Sequence, residues 1–236
     1  MKKLLTWLSF VVLLATVIGS GAYGQKGKGG GRGGKPPKGP ANPVLLVGAF
    51  GGGLVAVDVN GENRLRVVRD GAGQPSWSPD GRFVAVRATA SLFGVSCPPP
   101  ANIGVGLVEL LDPVAGDWSG VEILFCLDGS GPAFSPVASG DTYQIAFSGR
   151  ISTETGSTPN ELRVVEVVAL PGGGFAVSES VNLSNTPAIN EGGPTWSPDG
   201  TEIAVAAVDL SNGERDLVAY PANGLGLPQS LIQGRV

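Results

Sequence analysis

The sequence predicts an all-β fold assembled from repeated antiparallel units of four short strands, and three observations carry that expectation. One pattern occurs three times within 236 residues. The 38 glycines and 19 prolines supply turns at close intervals. With aromatic residues at only 6%, the apolar mass must come from Val, Leu, Ile and Ala. At 42% hydrophobic and 15% charged, the chain is neither a disordered acidic polymer nor a membrane bundle, and one globular domain follows.

Residues 1–24 read as an export signal. Lys2 and Lys3 form a basic start, Leu4 to Ile18 is an apolar run, and Ala22-Tyr23-Gly24 places small residues at the −3 and −1 sites before Gln25. A retained anchor is the rival reading. Thr6, Ser9 and Thr16 interrupt the run, however, and it falls short of the ~20 residues a spanning helix needs. An exported chain, periplasmic or extracellular, with no transmembrane segment after cleavage is therefore expected.

Residues 25–41 carry Lys26, Lys28, Arg32, Lys35 and Lys38 among Gly and Pro, with no acid and no large apolar side chain. Such a segment cannot bury enough surface to offset the entropy of ordering, so a basic tether is expected. It could touch an anionic surface or serve as a solubilising spacer. Gly29 to Lys35 has the spacing of a phosphate loop, but Pro36 stands where the magnesium-binding hydroxyl belongs, and the match is accidental.

From Asn42 onward the repeat organises everything. Its copies are Pro75-Ser76-Trp77-Ser78-Pro79-Asp80-Gly81 before Phe83 to Val86, Pro132-Ala133-Phe134-Ser135-Pro136 before Ile145 to Phe147, and Pro194-Thr195-Trp196-Ser197-Pro198-Asp199-Gly200 before Ile203 to Val205. Ser-Pro-Asp-Gly is turn chemistry: Pro presets φ, Asp bonds its own backbone, and Gly accepts the left-handed conformation that closes a hairpin. Each copy is thus a strand, a turn and a second strand. The aromatic residue before each turn, Trp77, Phe134 or Trp196, recurs once per unit, which suits packing between neighbouring units better than a binding stack. Third and fourth strands follow, first at Leu54 to Val59 and Arg64 to Val68, last at Leu217 to Pro221 and Gln229 to Ile232.

These segments, PSWSPDGRFVAV and PTWSPDGTEIAV with LVAVDVNGENRLRVV before them, resemble the repeats of TolB-family propellers, relatives of the WD-repeat propellers. The resemblance covers Val44 to Ile232 and implies one β-propeller blade per repeat. It does not imply the activity of TolB, whose α/β domain has no counterpart here. The middle copy departs from the pattern: it lacks Asp-Gly after Pro136 and inserts Val137 to Tyr143, so its turn must be wider. Pro75, Pro132 and Pro194 stand 57 and 62 residues apart, more than the ~40–45 of a compact blade, so long loops are expected.

The expected blades are 44–69, 75–127, 132–183 and 194–232 of a domain spanning 42–236. The first has only three strands, giving an open arc, an imperfect ring or a truncated piece of a larger propeller. In a meander, alternate connections emerge at the same end. The short turns therefore share one face, and Ala88 to Asn102, Gly149 to Asn160 and Ser184 to Gly193 share the other. Long loops on a rigid scaffold are where binding usually lives, so that second face is the expected partner surface. Cys97 and Cys126 project toward it, and in an oxidising compartment a disulfide between them is expected, stabilising by ~3 kcal/mol.

Composition also narrows the chemistry. The chain has no histidine, which removes Ser-His-Asp and Cys-His catalysis and imidazole metal ligation. No G-x-S-x-G occurs. Asp58, Asn60 and Glu62 make only a fragment of a calcium loop, and Asp80 and Asp199 read as turn residues, so neither a metal nor a cofactor is expected. Residues 42–236 hold nine arginines, no lysine and all 20 acids, a charge of −11, which argues against nucleic acid. The expectation is a non-catalytic scaffold that binds a protein or cell-envelope polymer. The alternatives are the propeller of an enzyme such as a peptidase or polysaccharide lyase, or a gene fragment.

Overall fold

A computed structural model of the chain describes residues 44–48, 53–58, 65–69, 72–89, 103–112, 117–123, 128–150, 152–153, 156–157, 159–171 and 174–234. All regular structure among them is β. The signal and tether segments, Cys97, Cys126 and most of Ala88 to Asn102 lie outside the described residues. No helix among the described residues is long and apolar enough to cross a membrane.

Four main antiparallel sheets follow one another along the chain. The first is β1 (Val44–Gly48), β2 (Gly53–Asp58) and β3 (Leu65–Arg69). The second is β4 (Ala72–Trp77), β5 (Phe83–Thr89), β6 (Ile103–Asp112) and β7 (Asp117–Ile123). The third begins with β8 (Asp128–Phe134) and β9 (Thr142–Arg150). A two-strand hairpin, β10 (Ser152–Thr153) with β11 (Gly156–Ser157), then precedes β12 (Glu161–Ala169). The outer edge of that sheet is split between β13 (Phe175–Val177) and β14 (Val181–Asn182), both paired to β12. The fourth sheet is β15 (Ile189–Trp196), β16 (Glu202–Asp209), β17 (Arg215–Pro221) and β18 (Gln229–Gly234).

The first strands of the later sheets make contacts between sheets. β4 lies against β1 and β2, β8 against β4, β5 and β6, and β15 against β8, β9 and β12. Each sheet thus presents its first strand to the face of the one before it, which is propeller packing, and among the described residues the series does not close into a ring. β4 meets β1 and β2 as β8 meets β5 and β6, so the three-stranded sheet corresponds to second, third and fourth strands.

Proline explains a shared irregularity. The ladder skips between Gly73 and Ser76, between Ser130 and Ala133 and between Gly192 and Thr195, each time around the motif proline, which has no N–H to give. The residue just before that proline is left-handed in every copy: Gln74 at φ 50°, Gly131 at 62° and Gly193 at 61°. Gln74 adopts this conformation without glycine's freedom, and its side-chain oxygen accepts from the Gly131 N–H at 2.8 Å, tying β4 to β8.

The core sits in the joints between sheets. Phe83, Ala85, Val105 and Leu107 of the second sheet meet Phe134, Tyr143, Ile145, Phe147, Val165 and Val167 of the third. Phe83 packs edge-on to Tyr143 at 5.4 Å and to Phe175 at 5.0 Å between centroids. Ala146, Leu162 and Val164 then meet Ile203, Val205 and Tyr220 of the fourth sheet. Burying a side chain of this size contributes about 1.5–3 kcal/mol, so these joints hold the sheets in order.

Candidate functional site

The two complete Ser-Pro-Asp-Gly turns are built alike. In the first, Ser78 Oγ donates to Asp80 Oδ1 at 2.6 Å and accepts from the Phe83 N–H, while the Arg82 N–H reaches the same Asp80 oxygen. In the second, Ser197 Oγ donates to Asp199 Oδ1 at 2.6 Å and accepts from the Glu202 N–H, with Thr201 giving both its N–H and its hydroxyl to that oxygen. Gly81 and Gly200 close them at φ 73° and 72°.

Asp80 does more than cap its turn. Its Oδ2 accepts from the Tyr143 hydroxyl of the next sheet at 2.6 Å, and Arg82 donates to Asp141 at 2.7 Å. The turn aspartate is thus a latch across the second joint. Burial opposes its charge, but the hydrogen bonds from Ser78 and Tyr143 outweigh that and hold the carboxyl below its ordinary range. The Tyr143 phenol is pushed well above its ordinary range by burial and by its bond to Asp80.

The third joint has no such latch. Its turn carries Val137 where Asp80 and Asp199 stand in the other copies, and Val137 rests against Gly200 of the fourth sheet. The space beside it is a groove of about 280 Å³, lined by Ser135, Val137, Ser139, Thr142, Gln144 and Glu166 of the third sheet and by Asp199 and Gly200 of the fourth. The groove thus lies at the joint whose turn lacks the aspartate. Asp199 is fully exposed, with its carboxyl held down at about 2 by hydrogen bonds from Ser197 and Thr201. It accepts hydrogen bonds throughout the neutral range and cannot donate a proton there. Glu166 is exposed beside it, its N–H held by Ser178 Oγ at 3.0 Å.

At the opposite end of this joint lies a carboxylate that sequence reasoning missed. Glu191, wholly buried, accepts from the Leu162 N–H at 2.7 Å, from Thr186 Oγ1 at 3.1 Å and from the Tyr220 hydroxyl. Its backbone binds Asn160 and Ser148. Burial, then the bond to Glu191, pushes the Tyr220 phenol above its ordinary range. The partners stand at 148, 160, 162, 186 and 220, so no local signal announced the cluster.

On the described part of the expected partner face several side chains bond within the fold. Ser184 and Thr186 bind Leu162 and Glu191, and Asn190 Oδ1 accepts from the Asn160 N–H. The groove lies on the other face, among the short turns.

The remaining motif residues fall as follows. Pro75 and Trp77 are half-buried, Pro79 and Asp80 exposed, and Pro132, Phe134 and Pro194 buried. Pro136 and Pro198 are exposed. Trp196 donates its indole N–H to the Ala133 carbonyl of the preceding sheet at 2.9 Å. No three of Asp, Glu and Cys among the described residues stand together as metal ligands.

No protein-family model and no curated protein matches the chain. Among solved structures it is similar to an oligogalacturonate lyase from Vibrio parahaemolyticus, at 11% identity and TM-score 0.51, covering 81% of this chain and 50% of that one. It is also similar to a puromycin-hydrolyzing peptidase of Mycobacterium tuberculosis, at 16% identity and TM-score 0.47, covering 81% of this chain and 29% of that one. The chain thus spans about half the length of the lyase it matches. At these identities the likeness concerns the fold, which is that of β-propeller proteins. The expectation of a non-catalytic scaffold is corrected by this match, since the neighbour of that fold is an oligogalacturonate lyase. The expectation leaned on the absence of histidine, which narrows the chemistry without removing it.

Proposed function

We propose that the chain forms the propeller part of an enzyme acting on a polysaccharide, with the groove of the third joint holding the polymer. The fold shared with the oligogalacturonate lyase supports the enzyme class. The observation that carries the site is the cleft at the one described joint whose turn aspartate is replaced by Val137. Its lining suits a polyol: Glu166 accepts from sugar hydroxyls, while Gln144, Ser135, Ser139 and Thr142 both give and accept. With two acids and no arginine or lysine in that lining, a neutral glycan fits better than a polyuronate. The Ser-Pro-Asp-Gly hairpins support placing the repeats with TolB-type propellers, and residues 1–24 support an exported location among extracellular polymers.

The test is affinity electrophoresis and product analysis of the purified chain on neutral polysaccharides, polygalacturonate and peptides. Retardation or cleavage on a neutral glycan is expected, weakened roughly fivefold or more by Glu166→Gln, the loss of about one hydrogen bond. Folded protein that neither binds nor cleaves any polysaccharide overturns the reading.

A further inference from the structure

The face that the fourth sheet turns away from the third repeats, position for position, two faces that are each covered by another sheet. The registers define the equivalence. Ala85 opposite Leu107 and Arg87 opposite Val105 in the second sheet correspond to Ala146 opposite Val164 and Ser148 opposite Leu162 in the third. In the fourth they correspond to Ala204 opposite Ala219 and Ala206 opposite Leu217. Ala85, Val105 and Leu107 are at most 1% exposed beneath the third sheet, and Ala146 and Leu162 are 0% exposed beneath the fourth. Ala206, by contrast, is exposed, and Ala204 and Leu217 are half-exposed. An apolar floor of joint type stands open.

The turn aspartate points the same way. Asp80 spends Oδ1 on its own turn and Oδ2 on Tyr143 of the following sheet. Asp199 spends Oδ1 on its turn in the same manner, and its Oδ2 takes no hydrogen bond among the described residues.

We propose that this face is a docking joint for a further blade of the same repeat. The apolar floor is Ala204, Ala206 and Leu217, beside Ala219, which is already buried at 4% exposed. Asp199 is the latch for a hydroxyl at the start of the incoming blade's second strand, where Tyr143 stands in the third sheet. The occupant's first strand carries Pro-x-aromatic, because the two strands that cover equivalent faces, β8 and β15, both do. A second copy of the chain is the rival occupant.

The test extends the full chain. Residues 183–234 are repeated once after Val236, with Thr201→Tyr in the added copy to supply the hydroxyl. Hydrogen exchange is expected to show the added segment protected, and the unfolding midpoint to rise by roughly 5 °C or more. Leu217→Lys in the receiving sheet removes both effects and leaves the unextended chain's midpoint unchanged. An added segment that exchanges freely, or protection that survives Leu217→Lys, overturns the proposal. So does light scattering that finds the unextended chain dimeric and Ala206→Lys monomeric, which assigns the face to a second copy.

Discussion

At the scale of single residues, buried and turn-bound oxygens set how the molecule responds to pH and substitution. Asp199 has a depressed pKa of about 2, so its hydrogen bonds stabilise the fold fully above the ordinary carboxyl range near ~4. That contribution is lost as pH falls from ~4 through about 2. Asp199→Asn should therefore flatten the acid limb of a stability-versus-pH curve between those values while changing little above it, as read from urea midpoints. Tyr143 and Tyr220 have the opposite sign. Their raised pKa values give stability that is complete below ~10 and falls above it, so Tyr220→Phe should flatten the alkaline limb. Glu191 is the most exposed to substitution: Glu191→Ala strands the Leu162 N–H and the Tyr220 hydroxyl in a dry joint. It should lower unfolding free energy by about 3–5 kcal/mol, measured by denaturant titration.

The turn is the informative element, because its copies differ in one contact. Gly81 and Gly200 share the left-handed φ, but a Cβ at Gly81 would meet nothing within 4 Å, whereas one at Gly200 would lie 3.0 Å from Val137. Gly81→Ala should therefore cost about 1 kcal/mol from backbone strain alone. Gly200→Ala should cost more, and Val137→Ala should recover the excess at Gly200 and nothing at Gly81 in a set of thermal melts. This element was also the most legible in the sequence, since Ser, Pro, Asp and Gly each carry a local reason for their place. Its second role was not legible. That Asp80 reaches Tyr143, 63 residues later, depends on which sheets adjoin, and spacing does not reveal it. For the same reason the departure at Pro136-Val137 read only as a wider turn, although Val137 lines the groove at that joint. The left-handed residue before each motif proline left a trace in Gly131 and Gly193, but Gln74 hid the rule.

For the whole molecule, the joint rather than the sheet is the stabilising unit. Phe83, Ile145 and Ile203 are buried because a neighbouring sheet covers them, whereas the repeat placed them only in second strands and named no neighbour. Four antiparallel sheets, one with three strands, were readable from the turns and the repeat. The location of the described cleft among the short turns was not, because nothing local in Ser135 to Thr142 shows which sheet lies beside them. The order of the sheets rests most directly on the Asp80 and Tyr143 contact. A double-mutant cycle of Asp80→Ala and Tyr143→Phe in denaturant unfolding measures it. Adjoining blades predict a coupling of about 1–2 kcal/mol between these residues, and strictly additive effects would contradict the radial arrangement.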